Sequence, residues 1–290
     1  MRRILRNKLS KNQWNRLKGL KRKWLSFVDR MNNAFVNVLP SSFRVYLKSR
    51  IRVVKKMDYG KADIFLDLSS SIEKDVRLHS CVKEPETIEW IETFIKPGDV
   101  LFDIGANVGA YSLVTSKHLK DDVQVYAFEP SFLNFPQLCK NIHLNKCGEA
   151  IIPLNIALAG RTTVDYFYYQ NLIPGGALHN LGEAIDYKHE TFDAAFKQTV
   201  LSYAMDDLIE SFDLPVPNHI KLDVDGIEKE ILDGAQKTLL NPALKSVLVE
   251  AGDDKDDIVK CLIENGFRIH SQHQCGPEEL KMFNYVFTRF

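Results

Sequence analysis

The sequence of 290 residues lacks the features that mark several classes of protein. Its five cysteines include no C-x-x-C pair, which favours unpaired thiols in a reducing compartment over a disulfide framework or a zinc site. No apolar run approaches the roughly 18–20 residues that a membrane span needs. Basic residues recur through Lys23, which excludes the unbroken apolar stretch of a secretory signal. We therefore expect a cytoplasmic location, although an Arg-rich, acid-poor start is also typical of an organelle transit peptide.

Acidic residues are nearly missing from the first 60 positions. There, 17 Lys and Arg side chains are accompanied only by Asp29 and Asp58, a balance of +15. Residues 61–290 hold the other 21 basic and 36 acidic residues, a balance of −15. The zero net charge of the whole chain thus combines a basic arm, residues 1–60, with an acidic body, residues 61–290, and we expect these to be separate domains.

The apolar residues of the arm recur at three- and four-residue spacing, which predicts an amphipathic helix. They are Trp14, Leu17, Leu20, Trp24, Phe27, Val28, Met31 and Phe35. Pro40, followed by Ser41 and Ser42, then interrupts the pattern. A basic helix with an aromatic apolar side is typical of interfacial membrane helices, so residues 1–39 predict peripheral binding to an anionic membrane surface. Packing against an acidic protein surface and binding of nucleic acid phosphates are the alternatives.

The body shows strand-like apolar runs that alternate with helix-like segments, a pattern typical of a mostly parallel sheet covered by helices on both faces. The predicted strands are Ile64–Leu68, Val100–Ile104, Val123–Phe128, Ile151–Asn155, His219–Val224, Ser246–Glu250, Phe267–Ser271 and Tyr285–Arg289. The predicted helices are Pro85–Ile95, Ala110–Leu119, Phe132–Asn145, Ile227–Leu240 and Lys255–Asn265. From the polar and aromatic stretch Ile156–Leu214 we expect a hairpin at Thr163–Tyr169, a strand at Thr199–Ala204 and loops that close over a site.

A glycine-containing turn follows the strand Val100–Ile104, in the segment Asp103-Ile-Gly-Ala-Asn-Val-Gly109. Such turns cradle nucleotides in α/β sheets, because glycine lets the backbone turn tightly and approach a ligand closely. Asp103 would repel a pyrophosphate, whereas it would attract the ammonium group of S-adenosylmethionine (SAM). The turn therefore favours SAM. An NAD-dependent oxidoreductase is the alternative, although Asn107 stands where the dinucleotide fingerprint has glycine.

The next predicted strand ends in Glu129, which lies 24 residues after Gly105 and is followed by Pro130. An acidic residue at this place accepts hydrogen bonds from the two ribose hydroxyls of a nucleoside. A carboxylate that stabilises the start of a helix through the helix dipole is the alternative interpretation. Both interpretations are compatible with a ligand contact.

Charged residues alternate with apolar ones in a segment that should form a central strand. Lys221, Asp223 and Asp225 lie there, where a buried parallel strand should be nearly all apolar. Burying charge is costly unless the charge is paired or useful. The pattern therefore predicts functional residues at the carboxyl end of this strand, with a purely structural Lys–Asp pair as the alternative.

Together these segments resemble the FkbM-type family of SAM-dependent methyltransferases over roughly residues 80–290. The similarity lies in Glu84-Pro-Glu-Thr87, Asp103–Gly109, Phe128-Glu-Pro130 with Asn134, Lys221–Glu228 with Gly234-Ala235, and Leu248-Val-Glu250. It implies a Rossmann-like class I methyltransferase fold, with a seven-stranded sheet whose last strand runs antiparallel. It also implies O-methylation of a hydroxyl, often on a sugar or a polyketide-type product. The implied cofactor-binding residues are Glu84, Asp103, Gly105, Ala106, Asn107, Gly109, Tyr111, Ser112, Glu129, Pro130, Asn134 and Ala157.

Methyl transfer to an aliphatic hydroxyl requires positioning of the acceptor and removal of its proton. Asp225 is the preferred candidate for the base, and His179 is the other. Asp223 faces the expected cleft, and Lys221 could orient a carboxylate or stabilise a forming alkoxide. As an alternative, Asp223, Asp225 and Glu250 could bind Mg²⁺, because hard cations prefer carboxylates.

Two further functional hypotheses follow from the arm and the body. A nucleic-acid methyltransferase would use the basic arm for phosphates, but the body is acidic and lacks an Asn/Asp-Pro-Pro-Tyr motif. A non-catalytic membrane-associated protein would have a degenerate body, whereas Asp103, Gly105, Gly109 and Glu129 are intact. We therefore expect a small-molecule or glycan acceptor. No motif in Ile156–Leu214 identifies it, and nothing in the sequence fixes the oligomeric state.

Overall fold

The structure, a computed structural model, describes residues 37–177, 179–184, 191–252, 254–275 and 282–289. The chain divides into two compact units, Met1–Arg52 and Val53–Phe290. The apolar stripe predicted between Trp14 and Phe35 lies outside the described residues. In the described part of the first unit, helix α1 (Ser41–Arg50) begins directly after Pro40 and buries no side chain.

The second unit begins before the boundary at residue 60 that composition predicts. Strand β1 (Val54–Lys56) pairs antiparallel with β2 (Phe65–Asp67), and Met57 and Tyr59 are buried in the core of the body. Burial of apolar side chains defines a folded unit, whereas the run of basic residues continues through exposed positions of β1. Residues 53–60 therefore pack with the body although their charge resembles that of the arm.

The helices and strands of the body alternate in the predicted order. Its remaining helices are α2 (Ser71–Asp75), α3 (Ser80–Lys83), α4 (Pro85–Phe94), α5 (Ala110–His118), α6 (Phe135–Leu144), α7 (Met205–Phe212), α8 (Glu228–Asp233), α9 (Gln236–Leu240) and α10 (Lys255–Glu264), with a 3-10 turn at Arg77–His79. Its remaining strands are β3 (Val100–Ile104), β4 (Gln124–Phe128), β5 (Ile151–Leu154), β6 (Ala157–Leu158), β7 (Thr163–Tyr169), β8 (Asn180–Leu181), β9 (Phe196–Tyr203), β10 (His219–Leu222), β11 (Ser246–Ala251), β12 (Arg268–Cys275) and β13 (Met282–Thr288).

Seven strands form the main sheet in the order β12-β13-β11-β10-β3-β4-β5. The pairs from β11 to β5 are parallel, and β13 runs antiparallel to both of its neighbours. Helices cover both faces, and two buried apolar clusters lie on the two sides of the sheet. The predicted fold class is confirmed. The strand order reverses between β3 and β10, and ligands of open α/β sheets bind beyond the carboxyl ends of strands at such a place.

Several details differ from the predicted elements. The hairpin predicted at Thr163–Tyr169 is a single strand, β7, which pairs with β9, and α2, α3 and β1 were not predicted. The single helix predicted at Ile227–Leu240 is broken into α8 and α9 at Gly234. A Cβ at Gly234 would lie 2.5 Å from the carbonyl oxygen of Ala159, so this contact requires glycine. The stretch Ile156–Leu214 also contains α7 and a four-stranded sheet, in the order β6-β9-β7-β8, where two strands of only two residues carry no readable periodicity.

All five cysteines are free thiols. Among the described residues, no helix is long and apolar enough to cross a membrane.

Candidate active site

A cavity of about 480 Å³ lies beyond the carboxyl ends of β3, β4, β10 and β11, at the place where the strand order reverses. Its volume falls in the range of small-molecule sites. Its lining includes Arg77, Lys83, Gly105, Asn107, Glu129, Pro130, Asn134, Gly175, Gly176, His179, Asp223, Asp225 and Glu250. Predicted residues from four separate segments thus meet at one cavity.

The turn after β3 is shaped by contacts within the protein as much as by a ligand. Gly105 has φ +81°, and a Cβ there would lie 2.0 Å from the carbonyl oxygen of Asp223. Gly109 has φ +87° and packs against Leu138, which a Cβ would meet at 2.6 Å. Asn107 also has a positive φ of 51°, a conformation that asparagine tolerates better than most residues. The two glycines therefore let β10 and α6 approach the turn.

Glu129 is held at the cavity by the backbone of two turns. Its Oε2 accepts the N–H of Asn107 at 2.8 Å, and its Oε1 accepts the N–H of Ser131 at 3.0 Å. The side chain is 4% exposed, and this burial raises the pKa of its carboxyl to about 7. Each carboxylate oxygen can accept a further hydrogen bond. Glu129 therefore has the position and the free acceptor capacity for two ribose hydroxyls.

Asp103 lies behind the cavity wall. It is buried and accepts a hydrogen bond from the hydroxyl of Ser112, while its other oxygen, Oδ1, has no partner. Burial raises the pKa of the Asp103 carboxyl, against the attraction of the Lys221 ammonium. A buried acceptor without a partner next to the glycine turn would suit a cationic donor such as the ammonium of SAM. The contact between Asp103 and this ammonium stays a prediction.

A row of buried charges supports the wall formed by β10. Lys221 is 1% exposed, and its Nζ donates to Oδ2 of Asp223 at 2.6 Å. Burial alone would lower the pKa of the Lys221 ammonium, but the carboxylates of Asp223, Asp103 and Glu84 outweigh burial and raise it. The ammonium also lies 4.9 Å from the centre of the Tyr111 ring. Lys221 is therefore a fixed cation whose charge is compensated inside the protein.

His179 and Asp225 meet across the cavity, because the backbone N–H of His179 donates to Oδ2 of Asp225 at 3.2 Å. Burial lowers the pKa of the His179 imidazole to about 4, so the ring is neutral at pH 7. Its Nδ1 accepts the N–H of Gln170 at 3.3 Å, which places the ring proton on Nε2. Nε2 has no partner. In this tautomer, His179 presents an N–H donor.

Glu250 is the penultimate residue of β11 and lines the same cavity as Asp223. Burial, with repulsion from the carboxylates of Asp223 and Glu84, raises the pKa of Glu250 to about 8. At pH 7 this carboxyl is therefore mainly protonated and can donate a hydrogen bond. Sequence reasoning considered Glu250 only as a metal ligand, because its raised pKa depends on neighbours from other segments.

A turn at Gly175–Gly176 covers the cavity and was not identified from the sequence. Asn107 and Asn134 both donate to the carbonyl oxygen of Gly176, at 2.9 and 3.2 Å. The N–H of Gly175 donates to Oδ1 of Asn134 at 2.8 Å, and its carbonyl oxygen accepts Nε of Arg77 at 3.0 Å. The dipeptide Pro174-Gly175 is a turn signal that could have located it. Its partners, however, come from three other segments.

The predicted cofactor-binding residues divide into three groups. Those that line the cavity are Gly105, Asn107, Glu129, Pro130 and Asn134. Six others are buried and do not line it: Glu84, Asp103, Ala106, Gly109, Tyr111 and Ser112. Ala157 lines a neighbouring cavity of about 40 Å³, which shares Gly105 and His179 with the main one.

The predicted catalytic residues also separate. Asp223, Asp225 and His179 line the cavity, whereas Lys221 lies behind it. In the described part of the chain, no group of three or more His, Cys, Asp or Glu side chains is arranged to hold a metal ion. The Mg²⁺ alternative therefore gains no support from the geometry.

Known proteins are similar to this chain in sequence and in fold. The methyltransferase FkbM domain matches residues 103–269, which include the glycine turn, Glu129 and the end of β10. The hexuronic acid methyltransferase AglP of Haloferax volcanii is 27% identical over 194 residues, which cover 67% of this chain and 74% of AglP. TYW2 of M. jannaschii, solved in complex with AdoMet, has a TM-score of 0.45 and 14% identity and covers 82% of this chain and 87% of its own. Precorrin-6y C5,15-methyltransferase of Geobacter metallireducens has a TM-score of 0.43 and 12% identity and covers 71% and 86%.

Proposed function

The chain belongs to the FkbM family of methyltransferases and is a SAM-dependent methyltransferase, and we propose that its acceptor is a hydroxyl of a hexuronic acid or a related sugar in a glycan. One observation carries the proposal. Glu129 lines a cavity of about 480 Å³ together with Asp225 and Glu250. A nucleoside contact and polar groups for a hydroxylated acceptor thus share one space. The relative named for hexuronic acid supports the sugar class.

When bound, SAM would supply the methyl group of its sulfonium for transfer to the acceptor oxygen, with S-adenosylhomocysteine as the leaving group. In our proposal, Glu129 holds the ribose and the turn from Asp103 to Gly109 holds the amino-acid tail, with Asn107 and Asn134 positioning the turn above it. The residues themselves then orient the acceptor and take its proton.

We propose Asp225 as the group that accepts the hydroxyl proton. Asp223 is less suitable, because the Lys221 ammonium lies 2.6 Å from its carboxylate. Burial would raise the pKa of Asp223, but the ammonium outweighs burial and lowers this pKa below its usual range. Glu250 is mainly protonated at pH 7 and would donate to an acceptor oxygen instead. Asp225 lines the same cavity, and its Oδ2 accepts the backbone N–H of His179.

The activity test uses SAM with a radiolabelled methyl group and uronic-acid-containing oligosaccharides. We expect labelled methyl ether in wild type and a turnover number lower by about 10²–10⁴-fold in Asp225→Asn, with unchanged binding of S-adenosylhomocysteine. Matched oligosaccharides without uronic acid and a transfer RNA mixture serve as controls. Methylation of the RNA alone would favour the nucleic-acid alternative, and equal activity in Asp225→Asn would exclude Asp225 as the base.

We also propose that residues 1–39 bind an anionic membrane surface, where a membrane-assembled glycan would be accessible. Support comes from the basic amphipathic pattern that the sequence shows within residues 1–39. Aromatic side chains and cations on one helix are typical of interfacial binding.

Sedimentation with vesicles tests this second proposal. We expect the full chain to sediment with vesicles that contain phosphatidylserine and to remain in solution with pure phosphatidylcholine, because the attraction depends on anionic lipid. Deletion of residues 1–39 should abolish the binding while SAM-dependent activity on a soluble acceptor is retained. Unchanged sedimentation of the truncated chain would contradict a role of the arm.

A further inference from the structure

Arg77 is a cation at the cavity whose charge favours the ionised forms of Glu129 and Asp223, although among the described residues it forms an ion pair with neither. Among the described residues, Lys83 pairs with Glu84 at 2.5 Å and Lys221 pairs with Asp223 at 2.6 Å. Within the same part of the chain, no carboxylate lies in ion-pair distance of the Arg77 guanidinium. Its only hydrogen bond found there runs from Nε to the carbonyl oxygen of Gly175, at 3.0 Å. The two terminal nitrogens are left for a ligand.

His179 adds a second donor at the same turn. Its side chain is 5% exposed, and its Nε2 is buried without a partner. Nε2 lies 3.4 Å from the place where a Cβ of Gly176 would stand, whereas Arg77 contacts the neighbouring Gly175. The imidazole is fixed against the ring of Tyr169, with a distance of 4.8 Å between ring centres. A buried donor that is held rigidly and left unsatisfied is costly unless a ligand accepts from it.

The charge of the surroundings selects the ligand class. Asp223 and Asp225 line the cavity as carboxylates that would repel an anion, so an anionic ligand group needs a cation here, whereas a neutral sugar does not. A guanidinium presents parallel N–H donors that match the two oxygens of a carboxylate. Two ligands of a uronic acid methyltransferase carry this group: the amino-acid tail of the methyl donor and the uronic acid itself.

We propose that Arg77 and His179 form a carboxylate-binding subsite of this cavity, on either side of the Gly175–Gly176 turn. The inference rests on the proposed function for one of its two carboxylate sources, the uronic acid. The other source, the tail of the methyl donor, requires only that the protein binds SAM. Arg77 supplies the charge and His179 supplies one N–H.

The first part of the test concerns the methyl donor and compares the binding of two nucleosides by calorimetry. S-adenosylhomocysteine carries the amino-acid carboxylate, and 5′-methylthioadenosine lacks the whole tail. If the subsite holds the donor, Arg77→Gln weakens binding of S-adenosylhomocysteine by about 10- to 100-fold and leaves methylthioadenosine unchanged. Arg77→Lys, which keeps the charge and loses the fork, should fall between wild type and Arg77→Gln.

The second part of the test concerns the acceptor. It measures the binding of glucuronate and glucose to the protein in complex with S-adenosylhomocysteine, so it does not depend on turnover. If the subsite holds the acceptor, Arg77→Gln weakens glucuronate by about 10- to 100-fold and leaves glucose and S-adenosylhomocysteine unchanged. His179→Phe keeps the ring packing but removes the N–H, and should weaken the same ligand by about tenfold. His179→Gln, which restores an N–H donor, should recover part of the loss.

The variant Ser70→Ala tests whether Arg77 acts only by supporting the Gly175–Gly176 turn. Ser70 donates to the carbonyl oxygen of Pro174 at 2.7 Å and thus supports the same turn without lining the cavity. If Arg77 acted only by holding the turn, Ser70→Ala would reproduce the losses of Arg77→Gln. That result, or equal effects on ligands with and without a carboxylate, would overturn the subsite. Absence of methyl transfer to glucuronate, with the expected result in the first part of the test, would instead contradict the proposed function alone.

Discussion

Glu129→Gln weakens the binding of S-adenosylhomocysteine by about 100-fold or more. Both oxygens of Glu129 accept backbone N–H groups, Oε2 from Asn107 and Oε1 from Ser131. A glutamine amide has one acceptor oxygen and one donor nitrogen, so one of the two N–H groups would face another donor. The variant would also lose charge-assisted bonds to the ribose, each contributing about 1.5–3 kcal/mol, and each 1.4 kcal/mol is tenfold in affinity.

The protonation of Glu129 makes a second expectation for the same residue. Because burial raises its pKa to about 7, the carboxylate that accepts ribose hydroxyls becomes populated only as the pH rises through 7. Affinity for the nucleoside should therefore increase by about tenfold between pH 6 and pH 8. The ligand for this measurement is 5′-methylthioadenosine, since it lacks an α-amino group, which titrates near pH 8. In Glu129→Gln the dependence on pH should disappear.

The control for both measurements is Glu210→Gln, which makes the same chemical change at an exposed ion pair away from the cavity. It should leave the affinity and its pH dependence unchanged. Wild-type affinity in Glu129→Gln would show that Glu129 only stabilises the turns at Asn107 and Ser131, which is the helix-terminus interpretation of this residue.

Lys221→Met destabilises the folded chain by about 3–5 kcal/mol, the usual cost of removing one partner of a buried ion pair. Methionine fills a similar volume, so the loss is mainly electrostatic. Lys221 compensates the buried carboxylates of Asp103 and Glu84 and the partly exposed carboxylate of Asp223, and without it they would repel one another. The free energy of unfolding is measured by chemical denaturation, with the slope compared between variants.

Two further variants test the cause of this loss. Lys237→Met makes the same substitution in an exposed pair with Glu210, at 2.9 Å, and should cost less than about 1 kcal/mol. The double variant Lys221→Met with Asp223→Asn should lose less than the sum of the two single changes, because the charge left unpaired is removed. A cost of Lys221→Met as small as that of Lys237→Met would show that solvent reaches the buried carboxylates.

Local pattern was sufficient to predict most elements of the sheet. The run Val100–Ile104 is a strand with the predicted bounds, and the strands ending at Glu129 and near Asp223 fall within two residues of their predicted ends. These segments are buried on both faces, so their apolar residues form continuous runs that are visible in the sequence. Helix α7 was missed because it lies in a stretch whose neighbours are short, aromatic and polar.

The sequence by itself determined the order of strands and helices, the family, and the residues that follow β3 and β4, because each depends on neighbours along the chain. Only the tertiary structure decided that Arg77 and Gly175, 98 positions apart, meet at the cavity. It also decided that the charge of Lys221 is compensated by Asp223 behind the cavity. It also decided the protonation of Glu129, Glu250 and His179. Burial and the charges of distant segments set these pKa values, and no local pattern contains either quantity.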